Sequence, residues 1–242
     1  MRRIIKRHLN NPPAYDNRQY SDYRYLIFDG TFLYERTGIV ALMNAQHHTI
    51  IAGQYGISEN SFPQLRSFLE PLKNNGLSPL SCTVDGNPQA MRTLKTLWPS
   101  IITQRCLVHI QRQGLMWCRH DPKRYDAKML RNIFLQISSL NTVEDRDAFI
   151  VQIQEWELRY GQQLESMPER GWVLSDLKRA RSMLLNALPN MFHFLNDNRI
   201  PKTTNGLEGY FSRLKQHYRQ HRGLAPSKRY NYFKWYFHLK PY

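Results

Sequence analysis

Three carboxylates in this chain stand where phosphodiester chemistry would need them. Asp29 follows the β-rich run YRYLIF, Asp85 follows LSCTV, and Glu208 lies in the first turn of a helix-like stretch, TTNGLEGYFSRLK. Brought together, they would concentrate negative charge that divalent cations relieve. Mg²⁺ favours a few carboxylates completed by water and phosphate oxygens, and Mn²⁺ can substitute for it. Two such ions held by Asp29, Asp85 and Glu208 would activate an attacking oxygen and stabilise a leaving one. Each acid also has a plainer reading. Asp29-Gly30 between apolar runs is a hairpin signal. Glu208, three residues after Asn205, would also close a capping box.

The elements that must hold these acids follow from periodicity. Tyr23–Phe28, Thr31–Glu35, Ile39–Asn44 and Thr49–Tyr55 read as an antiparallel meander. Ser61–Asn74 reads as a helix with Phe62, Leu65, Phe68, Leu69 and Leu72 on one face, stopped by Asn75-Gly76. A strand at Leu80–Val84, a helix at Pro88–Trp98, a strand at Ile101–Arg105 and a helix from Cys106 come next. That order predicts an α/β fold, a mixed sheet flanked by helices. Asp29 and Asp85 then fall at strand ends, where open sheets bind ligands. From His120 to Arg199 the strand signal is absent. Helical patterns cover Tyr125–Leu140, a stretch capped by Thr142 (Phe149, Ile153, Trp156, Tyr160), Val173–Leu188 and, briefly, Met191–Leu195. The chain then returns with Leu207, Tyr210, Phe211, Leu214 and Tyr218 as an apolar stripe that anchors the Glu208 helix.

Charge names the class of partner. The 242 residues are 41% hydrophobic and carry a net charge of +15, with a pI near 9.9. Such a balance points to a polyanion, above all nucleic acid. Lys215, Arg219, Arg222, Lys228 and Arg229 lead into a tail that mixes cations with aromatics, a composition suited to phosphates and bases. Tyr232, Tyr236 and Leu239 keep helical spacing, so the aromatic side of that tail is expected to pack on the core. Three cysteines are too few for a disulfide framework and suit a reducing cytosol. There is no signal-peptide pattern and no apolar run of membrane length. Residues 1–22 read as a basic arm or linker.

The segments FDGTFL, TVDGNPQAM, RCLVHIQRQ and PKTTNGLEGYFSRLKQHYRQHRGL resemble the DDE transposases of bacterial insertion sequences, in particular the Mutator-like group. The resemblance spans about residues 23–240. It implies an RNase H-like fold with an all-helical insertion before the last catalytic helix. The expected division is an arm at 1–22, the first part of the core at 23–119, the insertion at 120–199 and the rest of the core at 200–242. It implies Asp29, Asp85 and Glu208 as catalytic metal ligands for two ions. Water would attack the phosphodiester at a transposon end, and the freed 3′-OH would then attack target DNA. Cys106 and His109 match the family's Cys-x-x-His signature and enter as accessory residues, with Asn205 fixing the Glu208 loop. Cys106, His109, Cys118 and His120 also form an alternative zinc set. Trp172, after Gly171, is a candidate for stacking on a flipped base or hairpin end.

The partners implied are double-stranded DNA, as transposon ends and as target, and a second copy in a homodimer. The setting implied is a bacterial cytoplasm, at the nucleoid, with no membrane. Relatives of this kind carry an upstream DNA-reading module. Only about 22 residues precede the first strand here, with no Cys-x-x-Cys pair, so the chain reads as a truncated copy, as a second reading frame, or as a form that relies on its own basic surface. Two rival readings remain: a nuclease of the same fold that does not join strands, and a DNA-binding remnant without catalysis.

Overall fold

The computed structural model describes residues 7–13, 20–33, 37–167, 172–221 and 223–242. Arg222, Gly171, Glu35 and most of the expected arm lie outside the described residues. The chain forms two compact units, Met1–Thr103 with Arg199–Tyr242, and Gln104–Asn198.

The first unit carries a five-stranded sheet: β1 (Tyr25–Phe32), β2 (Gly38–Asn44), β3 (Thr49–Tyr55), β4 (Ser81–Val84) and β5 (Ile102–Arg105), in the order β3-β2-β1-β4-β5. β1 pairs antiparallel with β2 and parallel with β4, and β2 pairs antiparallel with β3. This is a mixed α/β sheet of the RNase H-like kind. One expectation is corrected. Asp29-Gly30 is not a hairpin turn and Asp29 does not end a strand. β1 runs straight through the pair, with Asp29 opposite Ala41 and Thr31 opposite Ile39. A tight two-residue hairpin needs positive φ, and Gly30 is not among the glycines that have it.

Alternation along β1 sorts its side chains between two cores. Leu26 and Phe28 join a cluster with α1 (Phe62–Asn74) and α2 (Pro88–Leu97). Ile27 joins the opposite cluster with Leu207, Tyr210, Phe211 and Leu214 of α9 (Asn205–Arg219) and Phe233, Tyr236 and Phe237 of α10 (Pro226–Leu239). Asp29 shares the parity of Ile27, so its side chain leaves the sheet on the face that α9 covers. The tail aromatics are therefore largely core. Phe233 stacks on Tyr55 at 4.7 Å between centroids, and a Cβ on Gly53 would run into the Phe237 ring. Leu239 departs from the expectation: it is 67% exposed, because it is the last residue of α10 and overhangs the packed face.

The second unit has no strand among its described residues beyond the end of β5. It packs α3 (Leu107–Cys118), α4 (Tyr125–Gln136), α5 (Val143–Trp156), α6 (Gln162–Ser166), α7 (Trp172–Ala187) and α8 (His193–Asn196) around its own core, which includes Leu107, Ile110, Phe134, Phe149, Leu177 and Leu184. Thr142 caps α5 in a capping box with Asp145. Trp156 is core, its indole N–H donating to the Asp126 carbonyl at 2.9 Å.

The closest approach in this unit sets a testable sign. A Cβ on Gly114 of α3 would overlap the Phe134 ring. Alanine gains about 1 kcal/mol of helix propensity over glycine, but overpacking a core costs about 1–3 kcal/mol. Gly114→Ala should therefore lower stability by about 1–2 kcal/mol, read as an earlier urea midpoint.

Candidate active site

Asp85 is placed by a short, tightly defined loop. β4 ends at Val84, Gly86 follows Asp85 with φ 102, and Asn87 then caps α2 by accepting from the amides of Gln89 and Ala90. The Asn87 amide donates back to Asp85 Oδ1 at 2.8 Å, fixing that carboxylate. Here the glycine is required by its backbone, since L side chains rarely adopt such a φ.

Asp29 is 6% exposed on β1, and its Oδ1 accepts from the Gly30 amide at 2.8 Å. Gly30 is needed for space rather than for conformation. A Cβ there would overlap the carboxylate of Glu59, which lies directly against the strand. Glu59 sits in the turn between β3 and α1. Gly56, with φ 86, donates to the Gly38 carbonyl, and the Ser58 amide donates to Gln64 Oε1 at 2.8 Å. Next to Glu59, Asn60 Oδ1 accepts from the Asn87 amide side chain at 2.7 Å. That bond ties the Glu59 turn to the Asp85 loop.

The result is a group of three carboxylates, Asp29, Glu59 and Asp85, whose ligand oxygens all lie within 4.8 Å of one another. Among the described residues this is the one such group of His, Cys, Asp or Glu. Its donors are all hard oxygens, which suit Mg²⁺ or Mn²⁺ and not zinc. The donor set thus fits a divalent cation. Glu59 was missed from sequence because it sits in a polar turn, SENS, with no periodicity. No local signal could have found it, because the glycine that makes room for it, Gly30, reads from sequence as part of a turn.

Glu208 is placed by α9 and is not part of that group. Its helix begins at Asn205 with Thr204 as N-cap, and the Thr204 side chain makes no cap hydrogen bond. The expected capping box is absent, because the helix starts one residue earlier than that reading requires and Glu208 falls at the fourth helical position. Glu208 is partly buried beside the apolar stripe, on the sheet face toward which Asp29 points. The lead-in to α9 is tied to β4, the Thr83 hydroxyl donating to the Pro201 carbonyl at 2.6 Å. From residue 199 onward there are ten Lys and Arg and a single acid, Glu208.

The remaining expected residues divide between the units. In the first, Asn205 is exposed at the start of α9, Arg219 is exposed at its end, and Lys215 is partly exposed. Lys228 bonds Asn10, and Arg229 donates to the Leu224 carbonyl at 3.1 Å, so both also brace the fold. In the second unit, Cys106 is fully buried as the N-cap of α3, and His109 Nδ1 lies 3.2 Å from its Sγ. Burial pushes the Cys118 thiol up to about 12 and raises Cys82 as well. A thiol that resists ionising is a poor zinc ligand, and Cys106, His109, Cys118 and His120 do not gather as ligands. Trp172 is 77% exposed as the first residue of α7.

Among the described residues no helix is long and apolar enough to cross a membrane. No curated protein matches the chain. Residues 3–227, however, match the family described as Transposase, Mutator family, a span that takes in the sheet, the acidic group and the Glu208 helix. With that match over most of its length, the chain belongs to the Mutator family of transposases, and its partner is DNA.

Proposed function

We propose that this transposase cleaves DNA at transposon ends and transfers the freed strand into target DNA, at a metal-dependent site formed by Asp29, Asp85 and Glu208 with Glu59 beside them. The observation that carries this reading is the convergence of Asp29, Asp85 and Glu59 within 4.8 Å in a chain of net charge +15. Divalent cations held there supply Lewis acidity for the attacking and leaving oxygens. The protein's own part is to hold its oxygens in place before DNA arrives. The Asn87 amide fixes Asp85, the Gly30 amide fixes Asp29, and the Asn60–Asn87 bond keeps the Glu59 turn against both.

Charge is distributed to suit this. Residues 104–198 hold thirteen Lys and Arg against eleven Asp and Glu. The excess of positive charge therefore belongs to the unit with the acidic group, where it would draw DNA backbone toward the site. Pairing two transposon ends calls for two active sites, so the working form is a homodimer. The proposed setting is the nucleoid of a bacterial cytoplasm.

The test is strand transfer with purified protein, Mg²⁺ or Mn²⁺, and a pre-cut end of the element that flanks the gene. Joined product is expected, and none in EDTA. Cleavage without joining of a supplied 3′-OH would leave only nuclease chemistry and overturn the strand-transfer half of the reading.

A further inference from the structure

The second unit carries a groove that the acidic site does not explain. It lies between the C-terminal end of α3 and one face of α7, measures about 480 Å³ and is open to solvent. Trp117 forms part of its lining from α3. From α7 come Met183 and, recurring at helical spacing as a polar stripe, Ser175, Lys178, Arg179, Ser182 and Asn186. Among the described residues no carboxylate lines the groove.

The charges at its rim are arranged to leave a positive excess. Asp176, next to Ser175 on α7, is shared by two arginines: Arg119 and Arg179 each approach it at 3.7 Å. Arg119 holds its place with φ 67 and ψ 168, a backbone region that almost only glycine occupies. Lys178 is steadied by the Met167 carbonyl at 2.8 Å, which sets its ammonium at the groove. Trp117 has part of its ring packed on the helical core and part open. An indole with one side braced and one side available, next to cations and hydroxyls, is the combination that binds a nucleic-acid strand by stacking plus phosphate contact. A paired base offers only its edge to a protein, so stacking on the indole calls for an unpaired one.

We propose that this groove seats an unpaired nucleotide of a DNA strand, its base against Trp117 and its phosphate on Arg179 and Lys178, with Ser175, Ser182 and Asn186 as hydrogen-bonding partners. The proposal rests on the transposase reading for its choice of DNA as ligand. It does not depend on the acidic site.

The experiment is fluorescence anisotropy of the whole protein with a fluorescein-labelled oligothymidylate, and separately with a blunt duplex, both in EDTA so that the metal chemistry is silent. Trp117→Ala should weaken oligothymidylate binding by about tenfold, the order expected for one lost stack. Trp117→Phe should recover most of it. Arg179→Glu, on an exposed helix position that leaves the core untouched, should weaken it as well. Duplex binding should change less than about twofold in all three, since the first unit carries most of the positive charge. Oligothymidylate binding that is unchanged in both Trp117→Ala and Arg179→Glu would overturn the proposal, as would an equal loss for the duplex. A chain that binds oligothymidylate through Trp117 yet never joins ends would instead count against the catalytic reading alone.

Discussion

Asp85→Asn should remove strand cleavage and joining by a factor of about 10³ or more while leaving the fold intact. The magnitude follows from what the carboxylate is asked to do. Metal stabilisation of transition-state charge is worth several kcal/mol, and each 1.36 kcal/mol is tenfold in rate. The fold should survive because asparagine keeps an oxygen at the same place. That oxygen still accepts from the Asn87 amide, and Gly86 still turns the chain into α2. Stability without metal should even rise. Asp29, Glu59 and Asp85 crowd their oxygens within 4.8 Å, and neutralising one relieves repulsion of about 1 kcal/mol. For a chain of this size that is about 2–4 °C in Tm. Gain of thermal stability with loss of joining is the signature of a site residue. A residue kept for structure would lose both. Asp29→Asn should behave in the same way, since an asparagine oxygen can still accept from the neighbouring Gly30 amide. Joining assays and melting curves in EDTA on the two variants check this together.

The sheet was legible in the sequence because its strands are β-branched and aromatic runs separated by real punctuation. β3 and the helix that starts at Pro88 fall where the spacing puts them. Asp29-Gly30 and Asp85-Gly86 show the limit of such reading. The two dipeptides look alike, and both follow an apolar run. At Gly86 the glycine is there for its backbone, with φ 102. At Gly30 it is there to let the Glu59 carboxylate lie against the strand. Local sequence cannot separate these uses, because the second depends on a residue 29 positions away. The same limit explains α3. It reads as one more helix of the alternating pattern, yet its buried residues Leu107 and Ile110 belong to the helical unit that begins at Gln104. A helix's own periodicity says which face is buried and not which core receives it. Glu208 was legible as an acid at a helix start, and the extra information lies in context. It is the lone carboxylate among ten cations, in a helix where it does not serve the cap.

Glu59 and Glu208 compete for the third acidic role, and isosteric amides separate them. Glu208→Gln should abolish joining. Glu208 sits on the helix that covers the face of Asp29, and the link from Thr83 to Pro201 holds that helix's lead-in against the Asp85 strand. Glu59→Gln should act mainly on cation affinity. Its oxygen is already gathered with Asp29 and Asp85 before DNA binds, so its charge is part of what attracts the ion. A ligand that binds only the folded state raises Tm in proportion to the logarithm of its concentration over its Kd. The Mn²⁺-induced rise in Tm should therefore shrink in Glu59→Gln, and joining should fall by about 10–100-fold, partly recovered at high Mn²⁺. In Glu208→Gln the Mn²⁺ shift should stay near that of the unaltered chain, because Glu208 is outside the group that holds the ion in the absence of DNA. Melting curves across a Mn²⁺ titration, paired with strand transfer on the same preparations, read both effects. A full Mn²⁺ shift and full joining in Glu59→Gln would make Glu59 a structural neighbour of Gly30 and no more. Intact joining in Glu208→Gln would move the third catalytic role from α9 to the turn between β3 and α1.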